Sequence, residues 1–341
     1  MLSIETRAPA GVADEGALQP ELLVLEDGSR IAGVAAWEGK RAAIEADWRN
    51  YLGRPPFDPF PLSVRTERVD DNGSHTGTLL GIKTEPGYWE KCYLMAPKPL
   101  PRGRLPAVVV FYYDIDLPAG RNMGSSTWKE GAETRQFGLH LVERGYVVLV
   151  QRWVYHGKRE DLAIKGNFYW GAAEYQLRQA PGWKGLGHVV WDASICADYL
   201  QTLDFVDPER IGCMGHSLGG KMALYAAAFD TRFKVAVSSE PGVGLSYSNW
   251  DAPWYLGPEV KDDGFGRDHH QLLALIAPRP FLLIGGESAD GVKSWRYLAA
   301  AQDVYRLYGA EDRIGMVNHG TGHAPTMEAC EAAYSWFDRY L

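Results

Sequence analysis

From residue 107 onward the chain alternates short apolar runs with stretches of helical periodicity. Residues 107–113, Ala-Val-Val-Val-Phe-Tyr-Tyr, are apolar at every position, as in a strand covered on both faces. Similar runs occupy 145–150, 210–214, 234–238, 281–285 and 313–317. Helical patterns at 136–143, 189–203, 222–228, 294–307 and 328–340 separate or follow them. Strands alternating with helices predict a parallel, doubly wound sheet. Upstream the texture differs. Runs at 62–69, 76–83 and 88–95 are separated by Asp71-Asn72-Gly73 and Pro86-Gly87, which predicts an antiparallel hairpin or meander. Residues 35–52 read as an amphipathic helix closed by Gly53 and Pro55-Pro56. Residues 1–20 read as a loose tail. The stretch 152–187, rich in Trp, Tyr, Arg and Gly, breaks the rhythm and is expected to be a loop roofing a site. The expected organisation is α/β: an extension over 1–60 and one doubly wound domain over 61–341.

Composition narrows the possible partners. The 341 residues carry a formal net charge of −8, with no basic run, which argues against nucleic acid and anionic membranes. No apolar stretch reaches the length of a membrane span, and no export signal is legible at the start, so the expected location is cytoplasmic. The four cysteines, Cys92, Cys196, Cys213 and Cys330, lack metal-ligand spacing. Asp268-His269-His270 is the one cluster that suggests a metal, and it reads better as a loop anchor. No metal and no cofactor is expected. Oligomeric state is not legible.

The chemistry centres on Gly215-His216-Ser217-Leu218-Gly219. A strand precedes this G-x-S-x-G and a helix follows it, the setting of a nucleophile elbow. The turn is so sharp that the serine is strained, and the residues two away on either side must be glycine. A serine hydroxyl needs a neighbouring base, in turn oriented by an acid.

These features resemble the α/β-hydrolases, from about residue 80 to the end of the chain. Trp191-Asp192 and Asp207-Pro208-Glu209-Arg210-Ile211-Gly212 are similar to the dienelactone hydrolase and acetyl xylan esterase branch. Gly219-Gly220-Lys221, residues 229–233, Glu240-Pro241-Gly242 and residues 268–280 resemble the glucuronoyl esterases, which cleave the ester between a glucuronic acid and lignin. Those esterases usually carry Arg directly after the nucleophile, where this chain has Leu218.

The resemblance implies a serine ester hydrolase working through an acyl-enzyme, with Ser217 as nucleophile and a base near the end of the chain. His323 is favoured over His319, because it precedes the last helix within a Gly-His pair as in the family. Two acids compete. Asp290 stands where α/β-hydrolases usually place theirs, and Glu240, 23 positions beyond the serine, stands where glucuronoyl esterases place theirs; Glu240 is favoured, because its Glu-Pro-Gly and its spacing from the serine match that family together. The oxyanion hole should combine the Leu218 N–H with one from Tyr113 or Asp114. His216, Lys221, Trp250 and Trp254 are candidate substrate contacts, the tryptophans as faces for a sugar ring. The implied partners are small-molecule or oligosaccharide esters, acetylated sugars first and glucuronoyl esters second. A peptidase of the same fold, or a binding protein that has kept the fold without activity, are the alternatives.

Overall fold

A computed structural model describes residues 2–9, 12, 18–165 and 169–341 of the chain. One nine-stranded sheet organises them. Its strands are β1 (Val64–Asp71), β2 (His75–Glu85), β3 (Tyr88–Pro97), β4 (Leu105–Tyr112), β5 (Val147–Arg152), β6 (Val206–His216), β7 (Phe233–Ser239), β8 (Phe281–Gly285) and β9 (Ile314–Asn318). They lie in the order β1-β2-β3-β5-β4-β6-β7-β8-β9. The pairings β1·β2, β2·β3 and β3·β5 are antiparallel, and those from β5 through β4 to β9 are parallel. The change from turn-linked to helix-linked runs thus falls where the sheet changes from antiparallel to parallel. In the parallel part, successive side chains enter opposite cores, Val109 and Phe111 in one, Val108 and Val110 in the other.

The larger core takes helices α1 (Val34–Leu52), α5 (Gly185–Gln201), α6 (Leu218–Phe229), α7 (His269–Ile276) and α8 (Trp295–Leu307). The other face takes α2 (Phe137–Glu143) and α9 (Met327–Tyr340). The N-terminal extension is packed onto this body: Trp37 and Trp48 of α1 are fully buried, and the Trp48 indole N–H donates to Gln271 Oε1 at 2.9 Å.

Two expectations fail. The tail is not loose throughout, since Glu5 exchanges two backbone hydrogen bonds with Met316 beside the edge strand β9. The rest of that expectation falls partly on residues outside the described ones. The stretch 152–187 is not a plain loop either. It carries α3 (Val154–Asp161) and α4 (Trp170–Gln179), and α5 already begins at Gly185. These helices are short and neither has a side-chain cap, so local sequence signals them weakly. Long-range contacts hold them instead. Buried Lys158 pairs with Glu85 at 2.6 Å, and Arg152 pairs with Glu90, Glu160 and Asp161.

Buried histidines give the fold a pH dependence. Burial pushes His75 and His188 down to about 4 and His269 to about 3. In the unfolded chain each titrates near ~6.5. Between those values the unfolded state binds more protons, so their contribution to stability is full above about 6.5 and falls as pH drops toward 4, while Glu90, which burial pushes up to about 7, contributes in the opposite direction. Replacing His75, His188 or His269 by a residue that does not titrate there should therefore lessen the loss of urea midpoint between pH 7 and pH 4.5. A pH dependence unchanged in all three variants would contradict the assignment.

Candidate active site

Ser217 sits between β6 and α6 with φ 57° and ψ −115°. That is the strained turn the motif predicts, and the flanking glycines show why it is possible. A Cβ on Gly215 would lie 2.2 Å from the Gly219 carbonyl oxygen, and one on Gly219 would lie 2.0 Å from that of Phe111. Gly219→Ala should therefore cost at least about 3 kcal/mol, the upper part of the range for single substitutions. An unchanged denaturation midpoint in that variant would contradict the tight-elbow account.

The serine amide donates to the Ser239 carbonyl at 2.7 Å, which ties the elbow to the end of β7. The next residue, Glu240, also has positive φ, at 49°. Its carboxylate turns inward and is fully buried. It accepts hydrogen bonds from the amides of Gly286, Ala289 (2.7 Å) and Asp290 (3.3 Å), all in the loop after β8. The fourth partner is His323: Nδ1 lies 3.1 Å from Glu240 Oε2, and Nε2 lies 2.8 Å from Ser217 Oγ. Beside a carboxylate Nδ1 carries the hydrogen, which leaves Nε2 to accept from the serine hydroxyl. This is the tautomer a general base requires. The His323 side chain is 46% exposed, so substrate and water can reach it.

Asp290 does not take part in this chain. Its carboxylate accepts from the amides of Gly242 (2.5 Å) and Val243 (2.8 Å) and from Ser294 Oγ (2.8 Å). It stitches the loop after Glu240 to the loop after β8, and no hydrogen bond joins it to His323. His319 is likewise apart, its Nδ1 sharing a hydrogen bond with Thr321 Oγ1 at 2.7 Å.

Leu218 is the first residue of α6, so its amide has no partner within the helix and faces the turn. Tyr113 follows β4, and its hydroxyl stands 3.2 Å from Ser217 Oγ. The sequence placed only a Tyr113 backbone donor here. The side chain carries no motif and could not be read in advance. Asp114 Oδ1 accepts from the Leu117 amide at 2.8 Å and so shapes the loop beyond Tyr113.

The candidate substrate contacts divide. His216 is buried, with Nδ1 3.0 Å from Ser239 Oγ and its ring centroid 4.8 Å from that of His323. It packs under the histidine. Lys221 and Trp250 lie inside the protein and do not offer a sugar platform. The Lys221 ammonium stands 3.7 Å from the Trp250 ring centroid and donates to the Pro241 carbonyl. Burial pulls its pKa down to about 7, and the charge of Asp290 opposes that shift. Trp250 is fully buried, and its N–H donates to the Gly242 carbonyl at 2.7 Å. This pair braces the loop that carries Glu240. The reason is positional: Lys221 lies on the inward face of α6, one turn after the serine. Trp254 packs edge-on against Tyr169 (6.2 Å) and Trp170 (5.7 Å), just before and at the start of α4.

Asp268, His269 and His270 are engaged as anchors. Asp268 caps α7 in a capping box with Gln271. Nδ1 of His269 is 2.8 Å from the Val243 carbonyl, and Nε2 of His270 is 2.9 Å from the Pro20 carbonyl. Among the described residues no group of three His, Cys, Asp or Glu side chains is placed to hold a metal ion. No helix in the described residues is long and apolar enough to cross a membrane.

A mostly parallel sheet with a strained serine after β6, an acid after β7 and a histidine after β9 defines an α/β-hydrolase, and the chain belongs to that superfamily. Within it, the dienelactone hydrolase family matches residues 92–249 and the prolyl oligopeptidase family matches residues 183–341. The chain is 28% identical over 314 residues to the YtaP protein of Bacillus subtilis, covering 85% of this chain and 96% of that one. It is 24% identical over 370 residues to 4-O-methyl-glucuronoyl methylesterase 1 of Wolfiporia cocos, covering 94% and 80%. Among solved structures, a glucuronoyl esterase from Solibacter usitatus superimposes with a TM-score of 0.74 at 20% identity, covering 97% of this chain and 99% of that one.

Proposed function

We propose that the protein is a serine carboxylic-ester hydrolase that acts on carbohydrate esters. One observation carries the reading: Glu240, His323 and Ser217 form a continuous hydrogen-bonded chain of 3.1 and 2.8 Å, ending on a serine in a strained elbow. In this reading His323 Nε2 removes the Ser217 proton as Oγ attacks the ester carbonyl. The imidazolium is held by Glu240. The oxyanion is stabilised by the Leu218 amide and by Tyr113, whose hydroxyl is near enough to donate. His323 returns its proton to the departing alcohol. Water, activated by the same imidazole, then releases the acid and frees Ser217.

Relatives named for glucuronoyl ester cleavage favour uronate esters over acetylated sugars, the reverse of the order suggested by the sequence. The match to the prolyl oligopeptidase family supports peptide-amide hydrolysis as the second reading. A panel separates these readings: methyl glucuronate, acetylated xylose, a longer acyl sugar ester and an aminoacyl-proline amide, assayed side by side. Turnover of a sugar or uronate ester with the amide untouched is expected. Turnover of the amide alone would overturn the proposal.

A further inference from the structure

His216 ends β6, one residue before the nucleophile, and is buried. Its Nδ1 lies 3.0 Å from Ser239 Oγ, and the Ser239 carbonyl accepts from the Ser217 amide at 2.7 Å. The His216 ring is thus pinned to the last residue of β7, directly before Glu240. Its plane is tilted 48° to that of His323, with 4.8 Å between the centroids. Among the described residues no other aromatic ring packs on His323.

His323 needs such a backing. It is carried by the loop between β9 and α9, in which Gly320 and Gly322 take φ of 65° and 100°, and its side chain is 46% exposed. Its hydrogen bonds, 3.1 Å at Nδ1 and 2.8 Å at Nε2, lie at opposite edges of the ring. They leave the ring free to tilt about the line through its two nitrogens. That tilt matters in turnover, because Nε2 takes a proton from Ser217 Oγ and must then deliver it to the departing alcohol. A ring packed against one face limits the excursion. The second requirement is electrical, since a charged neighbour would oppose the imidazolium that forms at His323. Burial holds His216 well below the ordinary histidine range, and the charges of His323, Arg135 and His319 act in the same direction.

We propose that His216 is a positioning residue for the general base: it backs the exposed His323 ring so that both ring nitrogens keep their partners while the proton moves. The residue before the serine then acts on turnover through His323 and not through the substrate. This inference rests on the esterase reading and adds a residue to its machinery.

Two variants separate the ring of His216 from its hydrogen bond. His216→Gln can keep a bond to Ser239 Oγ but has no ring. His216→Phe keeps a ring, and it is combined with Ser239→Ala so that no buried hydroxyl loses its partner. His216→Gln should lower kcat about 10- to 100-fold, the scale of a misplaced catalytic group, with KM changed less than about 3-fold. The combined variant should keep kcat within about 5-fold of the wild type. Unchanged turnover in His216→Gln, or lost turnover in a combined variant that melts as the wild type does, would overturn the role. If a variant fails to fold, histidine-selective 15N NMR of the wild type decides. The His216 ring signals should stay those of the neutral form from about pH 8 to about pH 5, while moving together with those of His323. A protonated His216 in that interval, or signals indifferent to His323, would overturn it equally. A wild type inactive on every ester is a distinct result: it removes the esterase reading itself, and this role falls with it.

Discussion

Replacing Ser217 with alanine is expected to lower kcat for ester hydrolysis by roughly 10⁴-fold or more while leaving the fold intact. The loss is large because the hydroxyl is the atom that bonds to the acyl group, and no other nucleophile stands 2.8 Å from His323 Nε2 among the described residues. The fold should survive because the strain belongs to the backbone, and alanine meets the same φ of 57° with a smaller side chain. The Ser217 amide, which donates to Ser239, is kept. Circular dichroism and a denaturant melt should therefore match the wild type. Turnover near normal in this variant would remove the mechanism.

The second large effect concerns the acid. Glu240→Gln should cost about 10⁴-fold in kcat, because an amide can present its NH₂ to His323 Nδ1 and stabilise the wrong tautomer. Asp290→Asn should behave differently. Its carboxylate accepts three hydrogen bonds from Gly242, Val243 and Ser294 and none from His323. The amide replaces an acceptor with a donor in a buried site, so the variant should lose stability, on the order of 1–3 kcal/mol. It should retain far more activity than Glu240→Gln. The two losses should still couple, since the Asp290 amide donates to Glu240 Oε2 and the two loops share one hydrogen-bonded seam. An inactive Asp290→Asn beside an active Glu240→Gln would reverse the assignment.

Much of this arrangement is legible in the amino-acid sequence. The continuously apolar runs marked the parallel strands, because strands covered on both faces need no polar alternation. Gly215 and Gly219 marked the elbow, because only glycine tolerates such close backbone approach. The order of serine, acid and histidine followed from the strand order. The preference for Glu240 over Asp290 was legible only through the family likeness, not through the residues themselves. Both follow a strand, and what separates them is which carboxylate the loop after β8 turns toward His323, a matter of tertiary hydrogen bonding. Lys221 and Trp250 read as substrate groups because a lysine and a tryptophan near a site usually face outward, yet here they contact each other in the interior. Tyr113 belongs to no motif, and its hydroxyl comes within 3.2 Å of Ser217 Oγ only through the tertiary fold.

The most direct measurement is intact-mass and peptide mapping after exposure to a fluorophosphonate, which captures an activated serine. A single adduct on the Ser217 peptide is expected in the wild type, none in Ser217→Ala, and much slower labelling in His323→Ala and Glu240→Gln. Ester hydrolysis by a wild type that stays unlabelled, or that is labelled at another serine, would contradict the account.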